Sequence, residues 1–159
     1  MIRAVLPGMR ARGDGWIVNM SSVAGLVGAL GFGYYAAAKL AIEGLTATLR
    51  EEVEPFGVRV LAVAPAAFRT SAFSYFQNET VDAYVPMVEA VKAAFVDAHG
   101  KQAGDPVRGV QAVISAMNAP VPPHRIVLGN SGYDAVVAMH ENALAELRAN
   151  EKLSRSADF

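Results

Sequence analysis

Tyr35 and Lys39 stand four residues apart in "YYAAAKLAIEGL", residues 34–45, a stretch otherwise made largely of small and aliphatic side chains. On a helix that spacing puts both on one face, where they can converge on a single bound group. A free phenol titrates at about 10 and exchanges protons poorly at neutral pH, but an ammonium beside it favours the phenolate and brings that value down. Tyr35 placed in this way can pass a proton to or from a carbonyl or an alcohol. The lysine's three donors also allow it to hold a polyol such as a ribose. Ser22, thirteen residues before Tyr35 in "NMSSVAG", carries a hydroxyl that could orient a carbonyl toward the phenol. Plainer readings stand beside these: two unrelated amphipathic side chains on a helix surface, and a serine that only caps or turns.

The pattern around these residues predicts the elements that must position them. "RAVLPGMRARG" reads as the last turns of an amphipathic helix, ending in basic residues and stopping at Gly13. "GWIVNM" is a short apolar run rich in β-formers, and the Ser/Gly-rich loop "SSVAGLVGALGFG" follows it. A long helix opens near Gly33, with Ala37, Leu40, Ala41, Leu45, Thr48 and Leu49 recurring at three- and four-residue steps, and closes around Pro55 to Gly57. "VRVLAVA" is a second β-branched run, so strand, helix and strand follow in the order of a parallel βαβ unit. Residues 70–105 form a long excursion, with aromatics in "AAFRTSAFSYFQNET" and an amphipathic segment over 80–98, of the kind that serves as a lid. Asp105 and Pro106 suit the N-cap and first turn of a helix running to about Met117. "HRIVLG" reads as a third strand and Tyr133 to Asn150 as a closing helix with a fraying polar tail.

Composition narrows the function. With 159 residues, 53% of them hydrophobic, the chain has material for one globular core and too little for two ordinary domains. A net charge of -1 and no basic run argue against a nucleic-acid partner. The chain has no cysteine and its three histidines, His99, His124 and His140, are scattered, so neither disulfides nor a metal-ligand spacing is expected, and a cytoplasmic setting fits. Residues 15–38 carry no charge, yet their glycines, Asn19, Ser21 and Ser22 would make a poor lipid-facing helix, and no membrane span is expected. "GFGYYA", residues 31–36, fits the G-x-G-x-x-G/A pattern of dinucleotide sites, but about ten residues separate it from the strand it should follow directly, which excludes that role.

The succession "GWIVNMSSVAG", "YAAAK", "GVRVLAVAPAAFRT" and "GDP" resembles the short-chain dehydrogenase/reductase superfamily of the classical type, over most of the chain. The resemblance implies Ser22 as the substrate-orienting hydroxyl, Tyr35 as general acid/base, and Lys39 as ribose ligand and modulator of the tyrosine. Ser21 and Tyr34 fall outside that register, because only Tyr35 has a lysine four residues on. "PAAFRT" is similar to the family's Pro-Gly-x-x-x-Thr segment, which implies cofactor contacts from Pro65, Ala66, Phe68 and Thr70, largely through backbone groups. Ala66 stands where glycine is usual, and a positive φ there would cost an alanine about 1 kcal/mol. The region around "GFGYYA" borders the substrate pocket in such proteins.

Neither a glycine-rich turn for the cofactor's pyrophosphate nor an Asn-Asn-Ala-Gly segment is present, so the resemblance maps to the C-terminal portion of a doubly wound, Rossmann-type parallel sheet. The expected architecture is a single partial domain over 1–159, α/β, with about three strands and flanking helices, and 70–105 as a substrate lid. The expected activity is NAD- or NADP-dependent hydride transfer between nicotinamide and a carbonyl or secondary alcohol. The aromatics Phe73, Tyr75, Phe76 and Tyr84 suggest an apolar substrate, and a complete protein of this kind would be a homo-oligomer. The alternative is a catalytically inactive remnant, or an interaction subunit that associates with a full-length relative. In either case the strand "WIVNM" would have an unpaired apolar edge, and the isolated chain is expected to be poorly soluble, partly unfolded or self-associating.

Overall fold

The computed structural model describes residues 1–74 and 81–158. Three strands, β1 (Gly15–Met20), β2 (Val58–Pro65) and β3 (Arg125–Leu128), form one parallel sheet in the order β1-β2-β3. The helices are α1 (Ile2–Arg12), α2 (Val23–Val27), α3 (Gly33–Val53), α4 (Val85–Ala98), α5 (Pro106–Met117), α6 (Asn130–Ala149) and α7 (Glu151–Arg155). The chain is therefore α/β, as its alternation of apolar runs and helical periodicity predicts.

β2 is the central strand, and it has the nearly continuous apolar sequence that a strand covered on both faces requires. Val58, Val60, Leu61, Ala62, Val63 and Ala64 are all buried. Burying a valine or leucine side chain fully contributes about 1.5–3 kcal/mol, so this strand anchors the fold. Arg59 is the exception: it reaches the surface, lies 4.8 Å over the Trp16 ring of β1, and pairs with Asp14. A parallel pair needs a crossover, and α3 supplies it, packing Leu49 and Val53 against Ile17, Val58 and Val60. Ile2, Leu6 and Met9 of α1 close the same cluster. Gly57, which opens β2, has φ 71°, and a methyl group there would also overlap the backbone of Gly13. The tight entry into both strands thus depends on that residue having no side chain.

Four features differ from the sequence expectation. The loop after β1 contains α2, because the Ser22 hydroxyl accepts from the Ala24 amide at 3.2 Å and starts a short turn of helix. α6 begins at Asn130 rather than Tyr133, and α7 continues where a fraying tail was expected, with Arg155 paired to Glu151 at 2.7 Å. Helix in the 80–98 segment starts only at Val85, after a 3-10 turn over Asp82–Tyr84.

The excursion over 70–105 is drawn together at its base. Phe68 and Gly104 form a parallel bridge, the Arg69 amide donates to Gly104 O at 2.8 Å, and the Gly104 amide donates to Ala67 O at 3.1 Å. The Arg69 guanidinium adds two bonds to the Gln102 carbonyl, at 3.2 and 3.0 Å. Beyond this neck, Asp105 accepts from the Val107 and Arg108 amides and Pro106 occupies the first turn of α5, as its sequence predicts. Among the described residues no helix is long and apolar enough to cross a membrane, and no group of three or more acidic, histidine or cysteine residues is placed to hold a metal.

Candidate active site

A cavity of about 830 Å³ opens off the carboxyl ends of all three strands, where Met20, Pro65 and Leu128 line it. That is where open parallel sheets place ligands. Ser22, Tyr35, Pro65, Ala66, Phe68 and Thr70 all line the same cavity. Lys39 is not part of the wall; its Nζ lies 5.7 Å from the centroid of the Tyr35 ring, one helical turn along α3. Tyr34 points away at 98% exposure, against 45% for Tyr35, so the register set by the lysine picks out the tyrosine at the cavity.

The end of β1 holds Lys39 at two points. The ammonium donates to the Met20 carbonyl at 2.9 Å, and the Ser21 hydroxyl donates to the Lys39 carbonyl at 3.2 Å. Ser21 is buried, so this bond is shielded from water. Gly25 permits the approach: a methyl group on it would sit 2.5 Å from Lys39 Cβ and 3.0 Å from the Lys39 carbonyl carbon. Neither Ser21 nor Gly25 stands out in the sequence, because their roles arise only when α2 meets α3. Ser22 next door is a cap, as the plain reading holds, and it also faces the cavity. Accepting from Ala24 leaves the hydroxyl's own proton for a second partner.

On the opposite side, Pro65 ends β2 in register with Leu128, and the Ala66 amide donates to Leu128 O at 2.8 Å. No non-glycine residue among those described has a positive φ, so Ala66 carries no such strain. Its methyl is accommodated elsewhere: a Cβ on Gly132, in the first turn of α6, would lie 2.7 Å from Ala66 Cβ. The Phe68 ring packs against Gly104 and Gly109, where added methyls would come within 2.7 and 2.6 Å of it, and so fastens the neck to α5. Thr70 accepts from the Ala72 amide at 3.3 Å.

Among the described residues, Phe32 and Phe95 add aromatic rings to the wall. Phe32, just before α3, stands edge-on to Tyr35 with ring centroids 6.3 Å apart, and stacks on Phe95 of α4 at 5.0 Å with an interplanar angle of 24°. Phe95 lies in the same excursion but is not among the aromatics that the sequence singles out there, Phe73, Tyr75, Phe76 and Tyr84. Tyr84 is 57% exposed and outside the lining, while Tyr75 and Phe76 lie outside the described residues.

Three parallel strands flanked by helices, with a cavity at their carboxyl ends lined by Ser22 and Tyr35, make this an α/β protein of Rossmann type. A sequence model of the short chain dehydrogenase family matches residues 1–80. The chain belongs to the short-chain dehydrogenase family. It is similar to the oxidoreductase BOA17 of Botryotinia fuckeliana, 32% identical over 129 residues that make up 80% of this chain and 47% of that protein. The chain thus spans about half the length of the curated relatives it matches. A crystallised short-chain dehydrogenase from Streptomyces avermitilis superposes with a TM-score of 0.86 at 40% identity, over 99% of this chain and 58% of the other. A 3-oxoacyl-[acyl-carrier protein] reductase from Brucella melitensis with bound NAD superposes with a TM-score of 0.54 at 30% identity, over 80% of this chain and 44% of the other.

Proposed function

We propose that this chain carries the proton-transfer half of an NAD- or NADP-dependent oxidoreductase acting on a carbonyl or secondary alcohol, with an apolar substrate beside residues 70–105 as lid. The observation that carries the reading is that Ser22 and Tyr35 open onto one cavity, with the Lys39 ammonium against the Tyr35 ring. Membership of the short-chain dehydrogenase family supports it. Tyr35 gives its phenolic proton to the carbonyl oxygen in reduction, or takes it from the alcohol in oxidation. Ser22 donates its free proton to the same oxygen and fixes its direction, while accepting from Ala24 keeps the serine itself in place. Lys39, held through its Nζ at Met20 O and through its backbone carbonyl by Ser21 Oγ, is kept in place beside the phenol.

The residues present fit the nicotinamide-riboside end of a dinucleotide. The Lys39 ammonium has donors left over after Met20 and can hold ribose hydroxyls, while Pro65, Ala66, Phe68 and Thr70 form a shelf along the cavity for the ring. When bound, the nicotinamide supplies or accepts the hydride. The reading is tested with the 159-residue chain itself, following the nicotinamide absorbance with a panel of ketones and either cofactor. Tyr35→Phe, which removes the phenolic hydroxyl and keeps the ring, is expected to lower kcat at least about a hundredfold. Turnover that survives this change undiminished, or no turnover with any ketone, would sink the reading.

A further inference from the structure

We infer that the site takes an uncharged ketone or secondary alcohol carried on an extended apolar body, and that Phe95 of α4 sets how long a body the cavity accepts. The reacting carbonyl comes from the oxidoreductase reading, on which this rests; the body comes from the cavity wall. Among the described residues none that lines the cavity is charged. The polar side chains are Ser22, Tyr35, Thr70 and Ser131, and the first and third of these already hold backbone amides. A carboxylate or phosphate on the substrate would lose its water and meet no cation in the wall, which is prohibitive without a partner. The Lys39 ammonium lies outside the lining and donates to Met20 O. A sugar would fare little better, because its row of hydroxyls would find too few partners.

An apolar body meets continuous carbon instead. Val23 and Val27 of α2 line the cavity along with Phe32 and Phe95. Phe32 stands edge-on to Tyr35 and stacks on Phe95, so the three rings form one chain of contacts from the phenol to α4. Phe95 belongs to the excursion, which joins the sheet through the neck at Phe68 and Gly104. An apolar lining with a few convergent polar groups is the usual make-up of a small-molecule site.

Calorimetric titration of the 159-residue chain, without cofactor, tests this with three probes: methyl octyl ketone, its counterpart with a carboxylate on the far end of the chain, and methyl ethyl ketone. The long neutral ketone is expected to bind at least about tenfold more tightly than the carboxylate. Phe95→Ala should weaken the long ketone about tenfold while leaving the short one within twofold, and Phe95→Leu should restore most of the loss. Equal affinity for the carboxylate, no measurable binding of the long ketone, or equal weakening of both ketones by Phe95→Ala would overturn the proposal. Turnover is a separate readout. The binding preference without turnover sinks the oxidoreductase reading and leaves the apolar site standing, whereas turnover without the preference does the reverse.

Discussion

Ser21 is buried and spends its hydroxyl on the carbonyl of Lys39, while Gly25 gives up a side chain so that Lys39 can come close. Both are therefore positioning residues for the lysine. Ser21→Ala is expected to lower stability by about 1 kcal/mol, the net worth of one shielded hydrogen bond, and to lower kcat severalfold with little change in KM. Gly25→Ala forces a methyl into Lys39 and its backbone, an overpacking that costs about 1–3 kcal/mol, and should lower kcat further. Denaturant melts and steady-state kinetics on both variants decide the matter. A loss of stability with kcat unchanged would make the two residues purely structural. At this scale Tyr35, Lys39 and Ser22 were legible because a four-residue helical spacing and a strand end are local patterns. Ser21, Gly25 and the Ala66–Gly132 contact were not, since each depends on two elements meeting in space.

α3 is tied to the sheet by a second device, one turn past Lys39. Glu43 is buried, and its Oε2 accepts from Arg125 Nε at 2.9 Å across 82 residues of sequence, at the first residue of β3. Its Oε1 is buried with no partner among the described residues. Removing Arg125 alone would leave a carboxylate with nothing to balance it. The full cost of breaking a buried pair, about 3–5 kcal/mol, is reduced here by the solvent that reaches the arginine, so Arg125→Ala is expected to cost about 1–3 kcal/mol. Replacing Glu43 and Arg125 together by methionine should recover most of that, because the buried charge goes with its partner. A double variant no more stable than Arg125→Ala, measured by urea unfolding, would refute the account. Element boundaries were legible wherever a local stop signal exists: Gly13 ends α1, and Asp105 with Pro106 opens α5. α2 was missed because five residues are too short for a periodic signal, and its start rests on one capping hydroxyl. The Glu43–Arg125 tie has no sequence signal, as nothing in a helix's periodicity marks a buried glutamate as paired.

For the whole molecule, the three strands and the parallel pairing of the first two follow from apolar runs separated by helical stretches, and that much was readable from the chain, whereas the place of β3 beside β2 was not. What the sheet leaves open has a physical consequence. β1 pairs with β2 along one side only, and its other edge has no strand partner among the described residues. Charge, proline and bulges are the usual means of blunting such an edge, and "GWIVNM" has no charged residue and no proline. The Arg59 guanidinium over Trp16 covers part of the strand's face but supplies nothing to the free backbone groups along its edge. The 159-residue chain is therefore expected to self-associate through β1 as its concentration rises, in the manner of an unpaired edge that finds a second strand. Trp16 is the protein's single tryptophan and sits on that strand, so it reports the event directly. Sedimentation velocity over a range of concentrations should show the mean mass climbing, with the Trp16 emission shifting to shorter wavelength in parallel as the ring is covered. A chain that stays monomeric throughout and melts in one sharp transition would show that the open edge is tolerated, and that the core built on β2 and α3 is sufficient by itself.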